Sequence, residues 1–423
     1  MTAAPATLSA HVDELCRRAR PAAAAVAVLP DATRQAALHA AADALDRHGD
    51  AIRAANALDV AQAERDGLAA ATIDRLRLDG KRLATVIADL RTVAGLPDPV
   101  GHVQAEFIIA QGVRAQKIAV PIGVVACIFE SRPNVTVDIA GLCLRSGNAC
   151  ILRGGKEAVH SNRALAEAFR AGLAAVGFPV DAVQLVLDQD RALIPLLLAR
   201  EDAIDIVIPR GGESLIKAVV ACSKVPVVKH DKGVCSVYVH AAADLAMAEK
   251  IVLNGKVQRP GVCNSIENLL VDAAIAPIAL PRLGAALQAA GVELRADTRA
   301  LALLPGAKPA TAADWEEEYL ALILAVKVVD DLGDAIAFTQ AHGSHHSDTI
   351  VTQDGEAAER YLREIDSACV YHNASTRFTD GGQFGFGAEV GISTNRLHAR
   401  GPMGIAELCT YKYVCRGEGQ VRL

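Results

Sequence analysis

Aromatic residues make up only 4 % of this 423-residue chain, and no apolar run approaches the length that a bilayer demands. The longest near-apolar stretch, Ile118 to Phe129, is about half of the ~20 residues needed to span a membrane and is interrupted by Pro121 and Gly123. It reads as a buried strand. Long basic runs are also missing, and a net charge of -6 is small for this length, which speaks against nucleic acid or an anionic membrane as partner and for a small molecule. The ten cysteines never occur as C-x-x-C or at zinc-ligand spacing, so neither a redox pair nor a metal site is expected, and a reducing cytoplasm fits them best. At the N-terminus, acids and arginines precede any apolar stretch, unlike a secretory signal, and export is not expected.

What is present is alanine-rich helix and β-branched strand. With 52 % hydrophobic and 22 % charged residues the chain can bury the cores of two or three domains. Leu38, Leu45 and Ile52 recur seven apart after Asp31 and Thr33, both able to cap, which predicts an amphipathic helix from Asp31 towards Arg65. Leu83, Ile87 and Leu90 share one face of a further helix. Pro97, Pro99 and Gly101 then introduce alternating, β-branched residues, read as a hairpin projecting from the helical region. From Ile122 on, strand-like and helical runs alternate: strands at 122–129, 150–153, 182–187 and 203–208, helices at 135–145, 161–176, 191–200 and 213–221. This is the rhythm of a parallel sheet with helices on both faces, which binds ligands at the carboxyl ends of its strands. A second alternation, with strands at 225–228, 235–240, 323–329 and 349–352, predicts a second α/β domain beginning near Lys229.

Cys263 lies in VQRPGVCNSIENLLV, where Pro260 and Gly261 favour a turn before the thiol and the residues after it become strand-like. A nucleophile needs such exposure at a loop tip, whereas a lone cysteine among ten is more often a small buried hydrophobe. Gly211 and Gly212 follow a strand and open a helix, where backbone N–H groups can meet a pyrophosphate, with Ser214 capping as the alternative. GFGAEVG from Gly385 imitates a dinucleotide fingerprint but lacks the preceding hydrophobic strand, and RGGK from Arg153 lacks the spacing of a Walker loop. His342, His345 and His346 of HGSHHSD sit in a turn-like loop without a cysteine or carboxylate at ligand spacing, and His372 reads as a packed or surface residue.

The segment VPIGVVACIFESRPNVTVDIAGLCLRSGNACILRGGKEAVHSNRAL, from Val120, is similar to the signature region of the gamma-glutamyl phosphate reductases, a branch of the aldehyde dehydrogenase superfamily. Further blocks match in order: VIPRGGESLI from Val207, VCSVYVH from Val234, KVQRPGVCNSIENLLV from Lys256, HGSHHSDTIVT from His342 and GGQFGFGAEVGIST from Gly381. The resemblance implies an α/β, aldehyde dehydrogenase-like fold with two Rossmann-like parallel-sheet domains and a projecting β oligomerisation element. On that reading residues 1–228 form an NADP-binding domain with a projecting hairpin at 99–118, residues 229–388 a catalytic domain, and residues 389–423 a return to the cofactor domain ending in an oligomerisation strand. It further implies NADPH-dependent reduction of L-glutamate 5-phosphate to the 5-semialdehyde through a thioester on Cys263, the second step towards proline. Asn134 of SRPN resembles the side-chain donor to the oxyanion, with the backbone N–H of Cys263 as the other, or else it caps the helix that starts near Val135. Oxidative relatives need a glutamate to activate water; the corresponding stretch VVKHDKGVCSV has none, which fits phosphate as the group exchanged, and His230 and Lys232 near that place carry no assigned role.

Arg153 and Lys156 resemble the residues that hold the adenosine ribose, two cations suited to the 2′-phosphate of NADP, the alternative being solvated basic residues in a loop. Glu318 resembles the acid that binds the nicotinamide ribose, or is a solvated helix end beside Glu316 and Glu317. In the family the loop of Gly385 and Gly387 lies by the substrate mouth, so these glycines with Asn373, Ser375 and Arg377 are candidates for the amino and carboxylate ends of the substrate. Arg259, Arg396 and Arg400 compete with Arg377 for the carboxylate. The hairpin and residues 411–415 resemble segments that pair between subunits, implying a homodimer or homotetramer, and docking with the kinase that makes the labile acyl phosphate would protect it. An acyl-CoA reductase or another aldehyde dehydrogenase using the same thiol is the neighbouring reading. A cysteine hydrolase would need a base and an orienting acid that VCNSIENL does not obviously supply.

Overall fold

The structure, a computed structural model, describes residues 5–229 and 232–422, so His230 lies outside the described residues. The chain separates into two compact units: one holds the chain up to Lys229 with Gly385–Gly391 and the stretch from Met403 on, the other His230–Phe384 with Ile392–Pro402.

The first unit opens with a helix that periodicity after Asp31 did not reveal, α1 (Pro5–Ala27), which buries Val12, Cys16, Ala19, Ala23 and Val26 along one stripe. The expected helix towards Arg65 is two, α2 (Asp31–Arg47) and α3 (Gly49–Arg65), because His48 leaves helical geometry at φ -93°, ψ 10° and ends one while it starts the other. Two more follow, α4 (Ala70–Leu76) and α5 (Gly80–Gly95), the latter capped by the Asp79 carboxylate, which accepts from the Arg82 N–H at 2.8 Å. The hairpin is present as β1 (Val103–Ile108) antiparallel to β2 (Arg114–Pro121).

The apolar run from Ile118 is not one strand. β2 ends at Pro121, Gly123 turns the chain at φ 133°, and β3 (Val124–Phe129) begins in a different sheet. A Cβ at Gly123 would stand 2.2 Å from the Asp205 carboxylate, which accepts from the Val124 N–H at 2.8 Å, so this corner requires glycine. With β4 (Ala149–Gly154), β5 (Val183–Leu185) and β6 (Ile206–Arg210), β3 forms a parallel sheet in the order β5-β4-β3-β6. Its connections carry α6 (Val135–Arg145), α7 (Val159–Ala175) and α8 (Leu193–Leu198), and α9 (Glu213–Cys222) follows β6. Residues 225–228 contribute one isolated bridge, Val207 to Val227, where a strand was expected.

The second unit is a parallel sheet of β7 (Cys235–Val239), β8 (Ile266–Asp272), β9 (Glu293–Ala296), β10 (Lys308–Pro309), β11 (Ile323–Val329), β12 (Ser347–Val351) and β13 (Cys369–His372), in the order β10-β9-β11-β8-β7-β12-β13. Both faces are covered, as parallel sheets require. Cys235, Val237 and Val239 pack into one core with Leu269, Val271 and Leu280, whereas Tyr238 and Leu270 turn to another with Phe338 and Tyr361. Helices α10 (Leu245–Val257), α11 (Ala276–Ala289), α12 (Thr298–Leu301), α13 (Leu332–His342) and α14 (Gly355–Glu364) supply the coverage.

The expected single return at 389 is replaced by a chain that leaves the second unit at Phe384, goes back at Ile392 and leaves again at Pro402. The cause is a ribbon: β14 (Gly391–Ser393) pairs with β15 (Gly401–Met403), so the residues between them are an excursion. Last, β16 (Cys409–Arg416) adds antiparallel to β2 of its own chain, giving a three-stranded sheet that exposes Phe107, Ile108, Tyr411 and Tyr413. No helix among the described residues is long and apolar enough to cross a membrane.

Candidate active site

In the first unit a groove of ≈ 1230 Å³ opens where β3, β4, β5 and β6 end. Glu130 and Ser131 follow β3, Arg153, Gly155 and Lys156 come from β4 and the loop beyond it, Gln189 and Arg191 follow β5, Ser214 and Leu215 open α9, and Asp59 and Gln62 of α3 form a further wall. This is the ligand position of an open parallel sheet, at the point where the strand order reverses between β3 and β6. Its size exceeds that of common drug-sized sites of roughly 300–1,000 Å³ and suits a dinucleotide. Arg153 is buried at 7 % exposure; its Nη2 donates to the Gln189 carbonyl at 3.2 Å, and burial, with Arg191 nearby, holds its guanidinium below the usual arginine range. Lys156 is exposed along the rim. Gly212 stands immediately before α9, and its N–H already donates to Glu130 Oε2 at 3.0 Å; the helix start is at Gly212, and Ser214, inside the first turn, lines the groove. A Cβ on Gly211 would meet the same carboxylate at 2.4 Å. Arg191 and Glu130 are groove residues that the sequence reading did not single out.

Asn134 starts α6 with helical φ -54° and ψ -31°, and its side chain makes no cap bond. Its Nδ2 donates instead to Asp138 Oδ2 at 2.7 Å. Capping is therefore excluded as its task, because a residue already in helical geometry does not aim its side chain at the first backbone N–H groups. Gly385 and Gly387 belong to the same unit, both at positive φ (82° and 71°), and a Cβ on Gly387 would press on Thr92 and Val93 of α5.

The second unit holds the thiol loop, residues 258–265 between α10 and β8. Seven of the ten cysteines are buried; Cys222 and Cys263 are partly exposed and Cys415 is exposed, and none is in a disulfide. Cys222 ends a helix with its sulfur 3.7 Å from the Val219 carbonyl, and Cys415 lies on β16. Cys263 differs in the number of bonds that fasten the backbone around it. The Cys235 thiol, pushed well above its usual range by burial, donates to the Cys263 carbonyl at 3.2 Å. Asn264 Nδ2 donates to the Thr379 carbonyl and the Asn264 carbonyl accepts from Thr376 Oγ1, both at 2.7 Å, while the Ser265 hydroxyl donates to Gly255 at 3.1 Å. Gly233 lies flat on this loop: a Cβ there would sit 2.1 Å from the Cys263 carbonyl oxygen.

Of the four candidate arginines, Arg396 and Arg400 both pair with Asp366, which draws them away from a ligand. Arg377 remains beside the loop; its Nε donates to Gln258 at 3.1 Å, and burial, countered by Asp380 and the Cys263 thiol, lowers its guanidinium from the usual range. Arg259 is exposed on the same loop. Ser375 Oγ accepts from the Arg377 N–H at 3.2 Å and so shapes the turn that carries the arginine. Asn373 leaves the set of ligand donors: at φ 56° its Oδ1 accepts from Thr352 N–H and its Nδ2 donates to Thr352 O, both at 2.9 Å, so its amide is consumed by a strand end. Glu318 does not end a helix; it is partly buried in the extended stretch after a short 3₁₀ turn, with Glu316 and Glu317 exposed before it. Lys232 Nζ reaches the Glu316 carbonyl at 3.5 Å. The three histidines diverge, His342 to Glu316, His345 to the Asp366 carbonyl and His346 to Ser347, and among the described residues no group of three or more metal-ligating side chains converges.

Sequence reasoning missed a buried ion pair flanking the thiol: Lys256 Nζ and Glu267 Oε2 lie 2.5 Å apart with both side chains wholly buried. Burial raises the Glu267 carboxyl to about 8 and lowers the Lys256 ammonium, with Glu318 acting on both. The signal was faint: Lys256 and Glu267 stand in a helix and a strand composed mostly of apolar or small residues, on either side of the polar loop of Cys263.

The profile of the aldehyde dehydrogenase family matches residues 1–305. A gamma-glutamyl phosphate reductase from Symbiobacterium thermophilum is 53 % identical over 97 % of this chain and all of its own length. One from Nautilia profundicola is 50 % identical over 97 % of this chain and 99 % of its own. The chain belongs to the aldehyde dehydrogenase family, in its gamma-glutamyl phosphate reductase branch. The crystal structure of a gamma-glutamyl phosphate reductase from Thermotoga maritima superposes with a TM-score of 0.95 at 42 % identity, covering 97 % of this chain and 100 % of that one. As a member of this family, the chain is an oxidoreductase of the type that works with a nicotinamide cofactor.

Proposed function

We propose that this chain reduces L-glutamate 5-phosphate to L-glutamate 5-semialdehyde with release of phosphate, NADPH being the reductant, as a step of proline biosynthesis. The observation that carries the mechanism is the Cys263 loop, where a partly exposed thiol sits on a segment fastened through its backbone and through the Asn264 side chain. The Cys263 sulfur adds to the acyl carbon while the C=O π electrons move to its oxygen, giving a tetrahedral oxyanion. Its collapse breaks the carbon–oxygen bond to phosphate and leaves the thioester, and the thiol proton leaves with the phosphate. Asn134 and the Cys263 N–H donate to the oxygen that becomes negative in this step. Arg377 and Arg259 hold the substrate carboxylate, with Ser375 shaping the Arg377 turn and Gly385 and Gly387 as candidates in the loop by the substrate mouth.

The groove fits a dinucleotide: Arg153, Lys156 and Arg191 offer cations to the extra phosphate of NADPH. Gly211 and Gly212 offer backbone before α9, and Glu318 is the candidate acid for the nicotinamide ribose. Bound there, the cofactor supplies the hydride that converts the thioester to the aldehyde and returns the sulfur as thiolate. The residues up to Lys229 act as the cofactor domain and those from Lys232 to Phe384 as the catalytic one. Pairing of the exposed three-stranded sheet between copies gives a homodimer or homotetramer, a kinase delivers the acyl phosphate by docking, and ten cysteines without a disulfide suit the cytoplasm.

NADP reduction on adding glutamate 5-semialdehyde, with phosphate supplied or withheld, tests this for the wild type and Cys263→Ala. Activity should require phosphate and fall by at least about 10⁴-fold without the thiol. Turnover that ignores phosphate, or that survives the substitution, refutes the mechanism.

A further inference from the structure

We propose that Asp138 is a positioning residue for this reaction: its carboxylate anchors one Nδ2 hydrogen of Asn134, so that the other is presented in a fixed direction to the reacting oxygen. The inference rests on the reading of Asn134 as an oxyanion donor and adds the group that aims it. An amide nitrogen carries two hydrogens in one plane, so fastening one fixes the direction of the other. The bond from Asn134 Nδ2 to Asp138 Oδ2, 2.7 Å, spans one turn of α6. Turning the amide over would set its oxygen against the carboxylate, so the pair also selects which end faces outward.

The surroundings of Asp138 provide no other task for it. The charged groups that act on it are Asp89 of α5, Arg210 at the end of β6 and Glu389 of the 385–391 loop, and Arg210 is shared with Glu389 at 3.5 Å. Two carboxylates and one shared cation do not make a stabilising site for a third carboxylate. Residue 138 keeps part of its surface, yet protein crowds its carboxyl, and burial raises it to about 7. A group kept at that cost, with its bond made to a side chain that the helix does not use for capping, is better explained by what Asn134 does than by the stability of α6.

As pH falls through about 7, Asp138 takes up a proton, becomes a weaker acceptor and holds the amide less firmly, so kcat should fall on the acid side. The experiment compares Asn134→Ala, Asp138→Leu and Asp138→Asn for kcat, KM, NADPH affinity, thermal unfolding and the pH profile of kcat. Asn134→Ala should lower kcat by roughly 100-fold or more. Asp138→Leu should lower kcat about tenfold, with KM and NADPH affinity within about twofold of the wild type. Asp138→Asn offers the same kind of neutral carbonyl oxygen as the protonated acid, so its kcat should lie between those of Asp138→Leu and the wild type at neutral pH, match the wild type on the acid side and show no limb near pH 7. If Asp138→Leu keeps wild-type kcat while Asn134→Ala is impaired, the positioning role alone is overturned. If Asn134→Ala itself keeps wild-type kcat, the oxyanion reading falls and this inference with it. If both Asp138 variants lose kcat, NADPH affinity and thermal stability together, the role is structural and the proposal is wrong.

Discussion

The groove of the first unit and the thiol loop of the second are built in opposite ways. The groove is a row of strand ends whose polar groups face outward, and Lys156 and Arg191 are exposed along it. The thiol loop instead has its backbone carbonyls bound by Cys235 and Thr376, its Asn264 side chain tied to Thr379 and Gly233 pressed against it, with the wholly buried Lys256 and Glu267 alongside. A nucleotide's phosphates supply partners for the exposed cations of an open groove when it binds, so exposed charge there is useful. A nucleophile must already stand in its reactive position, and each bond that holds the loop, worth about 1 kcal/mol net, narrows its motion before substrate arrives. The contrast teaches that exposure marks the binding half and fastening marks the covalent half.

The contrast can be broken or sharpened in three ways. The largest effect belongs to the buried pair. Lys256→Met strands the Glu267 carboxylate and should cost about 3–5 kcal/mol of stability, read from denaturant unfolding, whereas Lys256→Met combined with Glu267→Leu should restore most of it. A single variant as stable as the wild type would show that the second unit does not depend on fastened charge. Next comes Gly233→Ala, whose new carbon would collide with the Cys263 carbonyl and displace the thiol. Turnover should drop roughly 100-fold while NADPH affinity, supplied mainly by the groove of the first unit, stays put; equal losses in both would erase the division of labour. Smallest is Lys156→Ala on the groove rim, where NADPH affinity should weaken about tenfold and NADH affinity hardly at all. Equal effects on the two cofactors would remove this lysine from the phosphate.

Much of the architecture was legible because it is local. The alternation from Ile122 to Cys222 is carried by β-branched runs and amphipathic helices that each declare themselves within a dozen residues. The break at His48 and the corner at Gly123 escaped because the first depends on one residue's dihedral angles and the second on Asp205, far along the chain. The candidate site divided in the same manner. Gly261 and Pro260 announce the turn before Cys263, but nothing near Asn373 announces that its amide is consumed by Thr352, and nothing near Arg396 or Arg400 announces Asp366.

By itself, then, the sequence determined the α/β class, the position of the thiol turn and the ordered blocks that place the chain in its family, since these follow from spacing and from short runs of residue types. Tertiary structure decided which cysteines are buried, which arginines are already paired, and that Lys256 and Glu267 meet wholly buried. The reason is that reactivity and charge depend on solvent and on partners. Those partners, such as Thr376 and Thr379 against Asn264, are set beside one another only when the sheet closes.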